Sequence, residues 1–334
     1  MVNEGLLASD KPLSEVYDLA LIDLDGVMYK GNESIKFAPE NVNIARSNGM
    51  KTVFVTNNAS RTPEAVAEKL AGFGVPTNAS EVMTAAQIGV ALLKQHIKPP
   101  AKVLCIGTNA LEIALKDEGY EPVFSADDAP QAVIQGYDPD INWARLAECA
   151  YAVENGALFI ATNMDMSLPQ ERGFAPGNGS LVRSVELASG VKALDDAKPS
   201  PAMYKSASAR VNAKNPLVIG DRLETDLAGA VAAGYSGLLV LTGVSTLQDA
   251  ISAVPEHRPK FIGKDLRALN EPHPAVKFDG EWAVIDYVTN GIKRHAAAKI
   301  QDGEIVYDSR TDPKDVNAWR VALVASWNAG SDDE

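Results

Sequence analysis

Short apolar runs without internal alternation recur along the chain, and several end abruptly in polar or charged residues. Leu19-Ala20-Leu21-Ile22 runs into Asp23, Lys51-Thr52-Val53-Phe54-Val55 into Thr56-Asn57-Asn58, and Pro216-Leu217-Val218-Ile219-Gly220 into Asp221. Runs of this length that lack a period of two predict strands buried on both faces, the signature of a parallel sheet. Between them lie helical patterns: Pro39 to Gly49, closed by its glycine, a helix opened by Thr62-Pro63-Glu64, then Pro201 to Asn212 and Thr225 to Gly234. Proline suits a first helical turn, which has no partner for its N–H, and glycine suits the stop. Strand and helix in alternation predict a parallel sheet with right-handed crossovers. Gly237-Leu238-Leu239-Val240-Leu241 continues it.

A second alternating series sits inside the first. Val103 to Gly107, Gln131 to Gly136 and Leu158 to Thr162 predict strands; Ala110 to Glu118, Trp143 to Asn155 and Leu181 to Ser189 predict helices. The expectation is an α/β fold with a Rossmann-like parallel-sheet core in residues 1–86 and 194–274, interrupted by an α/β insertion over 87–193. Residues 275–334 differ in pattern. Glu281 to Ile285 and Glu304 to Tyr307 predict strands, and Asp315 to Asn328 an amphipathic helix whose Trp319, Val321, Ala322, Val324 and Trp327 suit core packing. They predict a small C-terminal α+β module, with lid support or subunit contact as its expected role.

Composition narrows the class. A length of 334 residues favours more than one domain, and a net charge of -13 argues against a nucleic-acid partner. The two cysteines, Cys105 and Cys149, suit buried thiols in a reducing compartment, and the four histidines show no metal-ligand spacing. With no membrane-length apolar run and no secretory pattern over Met1 to Ser14, the expected location is the cytoplasm.

The chemistry gathers at strand ends, where open α/β sheets bind ligands. Asp23, Asp25 and Asp221 all follow apolar strands, with Gly26 and Gly220 beside them. Clustered carboxylates resist ionising together unless a cation sits among them, and magnesium takes one or two carboxylates with water and phosphate. Asp23 could then attack phosphorus while Asp25 protonates the leaving oxygen and later deprotonates water. Thr56, Asn57, Asn58 and Lys198 supply the donors and positive charge that phosphoryl oxygens need.

These residues in this order resemble the haloacid-dehalogenase superfamily of phosphatases. The motifs are Asp23-Leu24-Asp25-Gly26, Thr56-Asn57-Asn58, Lys198-Pro199-Ser200, and Gly220-Asp221-Arg222-Leu223-Glu224-Thr225-Asp226. The large insertion between the second and third resembles the NagD-like branch with its α/β cap. The resemblance implies Asp23 as nucleophile, Asp25 as acid and base, and Lys198 as charge stabiliser. It implies a Mg2+ site of Asp23, the main-chain carbonyl of Asp25, and Asp221, with Asp226 orienting those ligands.

The stretch Asn163-Met164-Asp165, with Leu181-Val182-Arg183, resembles the cap loop of glycerol-3-phosphate and phosphoglycolate phosphatases, and Leu168 stands where pyridoxal-phosphate enzymes carry histidine. Asp165 could accept bonds from polyol hydroxyls, and Arg183 or Arg172 could reach an anionic group. The expected partner is a small phosphorylated metabolite, foremost glycerol 3-phosphate, with no nucleic acid or membrane partner; a homodimer is compatible with this reading. The alternatives are a broader sugar-phosphate, phosphoglycolate or nucleotide phosphatase and, in another class, a non-catalytic regulatory or scaffolding protein.

Overall fold

In the computed structural model, which describes residues 5–170, 172–289 and 291–329, strands and helices alternate over most of the chain. In chain order the principal elements are β1 (Leu19–Ile22), α1 (Ala38–Ser47), β2 (Lys51–Thr56), α2 (Pro63–Gly72), β3 (Val82–Thr84), α3 (Ala85–His96), β4 (Lys102–Ile106), α4 (Asn109–Asp117), β5 (Glu121–Val123), β6 (Ala132–Gln135), α5 (Trp143–Glu154) and β7 (Leu158–Ala161). They continue with β8 (Ser167–Gln170), β9 (Gly173–Pro176), α6 (Asn178–Ser189), α7 (Pro201–Arg210), β10 (Pro216–Gly220), α8 (Ala228–Ala233), β11 (Ser236–Val240), α9 (Leu247–Ile251) and β12 (Phe261–Gly263). The last are β13 (Lys277–Asp279), β14 (Trp282–Thr289), β15 (Ile292–Gln301), β16 (Glu304–Tyr307) and α10 (Val316–Ala329). The parallel-sheet α/β class expected from the apolar runs is the class observed.

The chain divides into two compact units, Met1–Thr52 with Ser208–Glu334, and Val53–Ala207. In the first, β12, β11, β10 and β1 lie side by side and parallel. Every residue of β1 and β10 is buried, which is why neither shows polar alternation. Leu19 pairs with Pro216 and Ile22 with Ile219, so β10 runs one residue, Gly220, past the last pair. That register delivers Asp23 and Asp221 to the same edge.

After β10 the structure departs from the expected helix over Thr225 to Gly234. Leu223–Leu227 is a π-helical turn, and the α-helix begins only at Ala228. The carbonyl of Arg222 accepts from both Asp226 N (3.0 Å) and Leu227 N (3.2 Å), which widens the turn. Asp226 closes it by accepting from Arg222 N through its side chain at 3.2 Å.

The C-terminal segment forms a four-stranded antiparallel sheet in the order β13-β14-β15-β16. One side of α10, with Val321, Ala322 and Ala325, packs on Ala283, Ile285, Ala296 and Ala298 of that sheet. Another side places Leu323 and Trp327 in a second cluster with Leu223, Leu227, Leu239, Ala250 and Ile262. The expected amphipathic helix is therefore apolar on two sides because two layers cover it. Buried Arg320 of α10 donates to Asn317 Oδ1 (2.6 Å) and His273 Nδ1 (2.9 Å). The other ring nitrogen of His273 lies 2.8 Å from the carbonyl of Ala268, which makes it the N–H donor. Burial first, then the charge of Arg320, pushes the His273 pKa down to about 3, so the ring is neutral.

In the second unit β5, β4, β6 and β7 form a parallel sheet, β2 pairs in parallel with β3, and β8 and β9 make an antiparallel hairpin. A core of Leu104, Val133, Cys149, Phe159 and Val182 lies between this four-stranded sheet and helices α5 and α6. Both cysteines are free and buried, and burial pushes each thiol up to about 12. Among the described residues, no helix is long and apolar enough to cross a membrane.

Candidate functional site

Three carboxylates gather at the carboxyl edge of β1 and β10. Asp23, Asp221 and Asp226 are all buried and each offers an oxygen within 4.8 Å of the others. Asp23 follows β1 directly and its N–H donates to the carbonyl of Ile219 at 2.9 Å, which ties it to β10. Asp25, two residues on, is exposed to solvent. Gly26 turns the chain there with φ +95°, and a Cβ on it would stand 2.5 Å from Asp221 Oδ2. Gly220 is equally constrained, since its Cβ would meet that of Asp226 at 2.1 Å. The two glycines beside the aspartates are thus what lets the carboxylates approach.

A loop that the sequence reading passed over completes this cluster. Residues 242–245, between β11 and α9, wrap Asp221. Val244 N–H donates to Asp221 Oδ2 at 2.7 Å and Ser245 N–H to the Asp221 carbonyl at 2.9 Å. The Ser245 hydroxyl accepts from Leu223 N at 3.1 Å, and Thr242 Oγ1 donates to the Gly26 carbonyl at 2.6 Å. A Cβ on Gly243 would fall 1.7 Å from Asp221 Oδ2, so only glycine fits. The signal was a further strand, Gly237 to Leu241, ending in Thr242-Gly243 at a sheet edge already rich in polar groups. Three like charges in a buried cluster suit a hard divalent cation, which needs oxygen donors and neutralises their repulsion.

In the second unit, Asn57 is the hub of a separate polar cluster. Its Nδ2 donates to both carboxylate oxygens of Asp165 (3.2 and 3.3 Å) and to the Lys198 carbonyl (3.3 Å). Its Oδ1 accepts from Lys198 N at 3.0 Å. The Lys198 ammonium is buried and donates to the Val55 carbonyl at 3.0 Å. Thr56 is buried at the end of β2 and its hydroxyl accepts from Asn58 N at 3.1 Å, while the Asn58 side chain accepts from Ser60 N at 2.7 Å. The loop carrying Asp165 is anchored by Asn163, which donates to the Asn57 carbonyl (2.7 Å) and accepts from Asp165 N (3.2 Å). Asn178, at the start of α6, donates in turn to the Asn163 carbonyl at 2.8 Å. Asn163 stood in the stretch that carries the cap-loop resemblance, but its anchoring role and that of Asn178 were not foreseen, because an asparagine's distant partners carry no spacing signal. Burial, then the charges of Asp196 and Asp165, raise the pKa of nearby Asp195.

Asn57, Asp165 and Lys198 are therefore brought together. Arg183 is directed elsewhere and donates to buried Glu186 at 2.7 Å, as does Lys192 at 3.0 Å. Arg172 is exposed at the turn between β8 and β9.

The comparisons with known proteins agree with this architecture. A model of haloacid dehalogenase-like hydrolases matches residues 20–121, and a second, HAD-hydrolase-like, matches 196–269. The D-glycerol 3-phosphate phosphatase of Mycobacterium tuberculosis is 40% identical over 331 residues, covering 97% of this chain and 89% of the relative. A crystal structure of glycerol phosphate phosphatase from the same organism, in complex with magnesium, superposes with a TM-score of 0.81 at 38% identity, covering 95% of this chain and 92% of that one. An acid sugar phosphatase of Staphylococcus saprophyticus is 34% identical over 256 residues, covering 76% of this chain and 96% of the relative. The chain belongs to the haloacid dehalogenase-like hydrolases. Within them it is a phosphoric monoester hydrolase.

Proposed function

We propose that this protein is a magnesium-dependent phosphatase that hydrolyses glycerol 3-phosphate through an aspartyl-phosphate on Asp23. The observation that carries the reading is the buried cluster of Asp23, Asp221 and Asp226, with oxygens within 4.8 Å of one another. Asp23, Asp221 and the main-chain carbonyl of Asp25 would hold Mg2+, with Asp226 beside them. When bound, the ion neutralises the carboxylates and the phosphate charge, which otherwise repel.

The Asp23 carboxylate attacks phosphorus and the ester oxygen leaves with a proton from Asp25, whose exposure lets it exchange protons with solvent. Asp25, now a carboxylate, takes a proton from water as that water attacks the acyl phosphate. Inorganic phosphate departs and Asp23 is restored. Thr56, Asn58 and Lys198 are assigned to the phosphoryl oxygens. Asn57, with both ends of its carboxamide engaged, is assigned to holding Lys198 and Asp165. Residues 87–193 are assigned as the cap, with Asp165 accepting from substrate hydroxyls. Arg183 keeps a role toward an anionic substrate only if it leaves Glu186.

The substrate reading is supported by a relative named for glycerol 3-phosphate that spans nearly the whole chain. A broader sugar-phosphate or nucleotide activity is the second reading, supported by relatives named acid sugar phosphatase and 5'-nucleotidase. Phosphate release from glycerol 3-phosphate, phosphoglycolate, sugar phosphates, pyridoxal phosphate and nucleoside monophosphates, with Mg2+ and with chelator, separates them. Metal-dependent turnover peaking at glycerol 3-phosphate is expected. A flat profile would transfer the assignment to the second reading, and turnover surviving chelator would remove the metal.

A further inference from the structure

The C-terminal module lies outside both family models, which end by residue 269. The contacts of its helix α10 say what it does for this chain. Trp327, 5% exposed, donates from Nε1 to the Ala250 carbonyl at 3.1 Å, a directional bond onto α9. Helix α9 is only five residues long, Leu247–Ile251, too short to hold its own position, and its cap Thr246 adjoins Ser245. The loop that precedes it is the one that cradles Asp221, through Val244 N–H, Ser245 N–H and the space above Gly243. A second route is apolar: Leu323 and Trp327 share one buried cluster with Leu223 and Leu227, which flank Asp226 in the π-helical turn.

We infer that the C-terminal module is a positioning element for the carboxylate cluster, acting from Trp327 through α9 onto the 242–245 loop. It sets how well ordered Asp221 is before a cation arrives, and so sets cation affinity. This rests on the metal reading of Asp23, Asp221 and Asp226. Loss of a group that orients a metal ligand from behind typically costs about 10- to 100-fold in metal affinity.

The test compares Trp327→Phe, which keeps an aromatic ring and loses the bond to Ala250, with Val321→Ala, which loosens α10 on its sheet side only. Mg2+ affinity is measured by calorimetry on the folded full chain, and exchange of the Val244 amide is followed in metal-free protein. Trp327→Phe is expected to weaken Mg2+ binding about tenfold and to speed Val244 exchange, with Val321→Ala within about twofold of wild type in both. Equal losses in the two variants would reduce the effect to general loosening and overturn the inference. So would Mg2+ affinity and Val244 exchange both unchanged in Trp327→Phe. Absence of saturable Mg2+ binding by the wild type would instead overturn the metal reading, and the exchange measurement would then decide alone whether Trp327 orders the loop.

Discussion

The two polar clusters of this protein are built on opposite principles. In the first unit three carboxylates are buried together, and Asp221 among them accepts from the Val244 N–H with Gly26 and Gly243 close by. In the second, the carboxamide of Asn57 ties the Asp165 carboxylate to the main chain of Lys198, whose buried ammonium donates to the Val55 carbonyl. The first offers three carboxylates of the kind a hard divalent cation takes as ligands. The difference teaches where an added ion should bind, at the carboxylates rather than at the Asn57 carboxamide.

The largest expected effect is at Asp23. Asp23→Asn should keep the fold and lose about 10^4-fold or more in kcat, because an amide does not attack phosphorus. Phosphate-release kinetics and circular dichroism check the two halves of that statement. Removing the cation of the other cluster with Lys198→Ala should lower kcat by about 10^2 to 10^3, as for loss of a preorganised charge-stabilising group. Next comes a test of the metal ligands. Asp221→Asn should lose most of the Tm gain that Mg2+ gives the wild type, checked by thermal melts with and without Mg2+. Asn57→Ala should cost about tenfold in kcat/KM, since it removes the carboxamide bonds to Asp165 and to the Lys198 main chain while leaving both residues in place.

A further effect, read in stability rather than in turnover, concerns the buried His273–Arg320 contact, where a cation sits beside a ring kept neutral. The native pKa of His273 is about 3 against an ordinary 6.5, so the unfolded chain binds a proton that the native chain refuses in that window. Stability is full above pH 6.5 and should fall by about 1.4 kcal/mol per pH unit as pH drops toward 3. Urea unfolding at pH 7 and pH 5 should show this slope reduced in His273→Gln.

Much of this was legible along the chain. The apolar runs of β1, β2 and β10 announce doubly covered strands, and their lengths bring Asp23 and Asp221 to one edge once the register is right. Thr84 and Gln87 form a capping box for α3, a start signal that was present but unused. Other features left no local trace. Strand β15 hides in Lys-Arg-His followed by three alanines, a composition that only pairing with β14 and β16 makes extended. The π-helical turn at Leu223–Leu227 reads as ordinary helix because its widening depends on Arg222 O bonding two amides.

The sequence by itself determined the class of sheet and the family, and it marked the residues proposed to carry the chemistry, because burial and strand-end chemistry are written in consecutive residues. Tertiary structure alone decided that Asp226 stands level with Asp23 and Asp221, that residues 242–245 wrap Asp221, that Asn57 joins Lys198 to Asp165, and that Arg183 turns to Glu186. These are contacts between segments far apart in the chain, and no local pattern records which of several polar neighbours a side chain will meet.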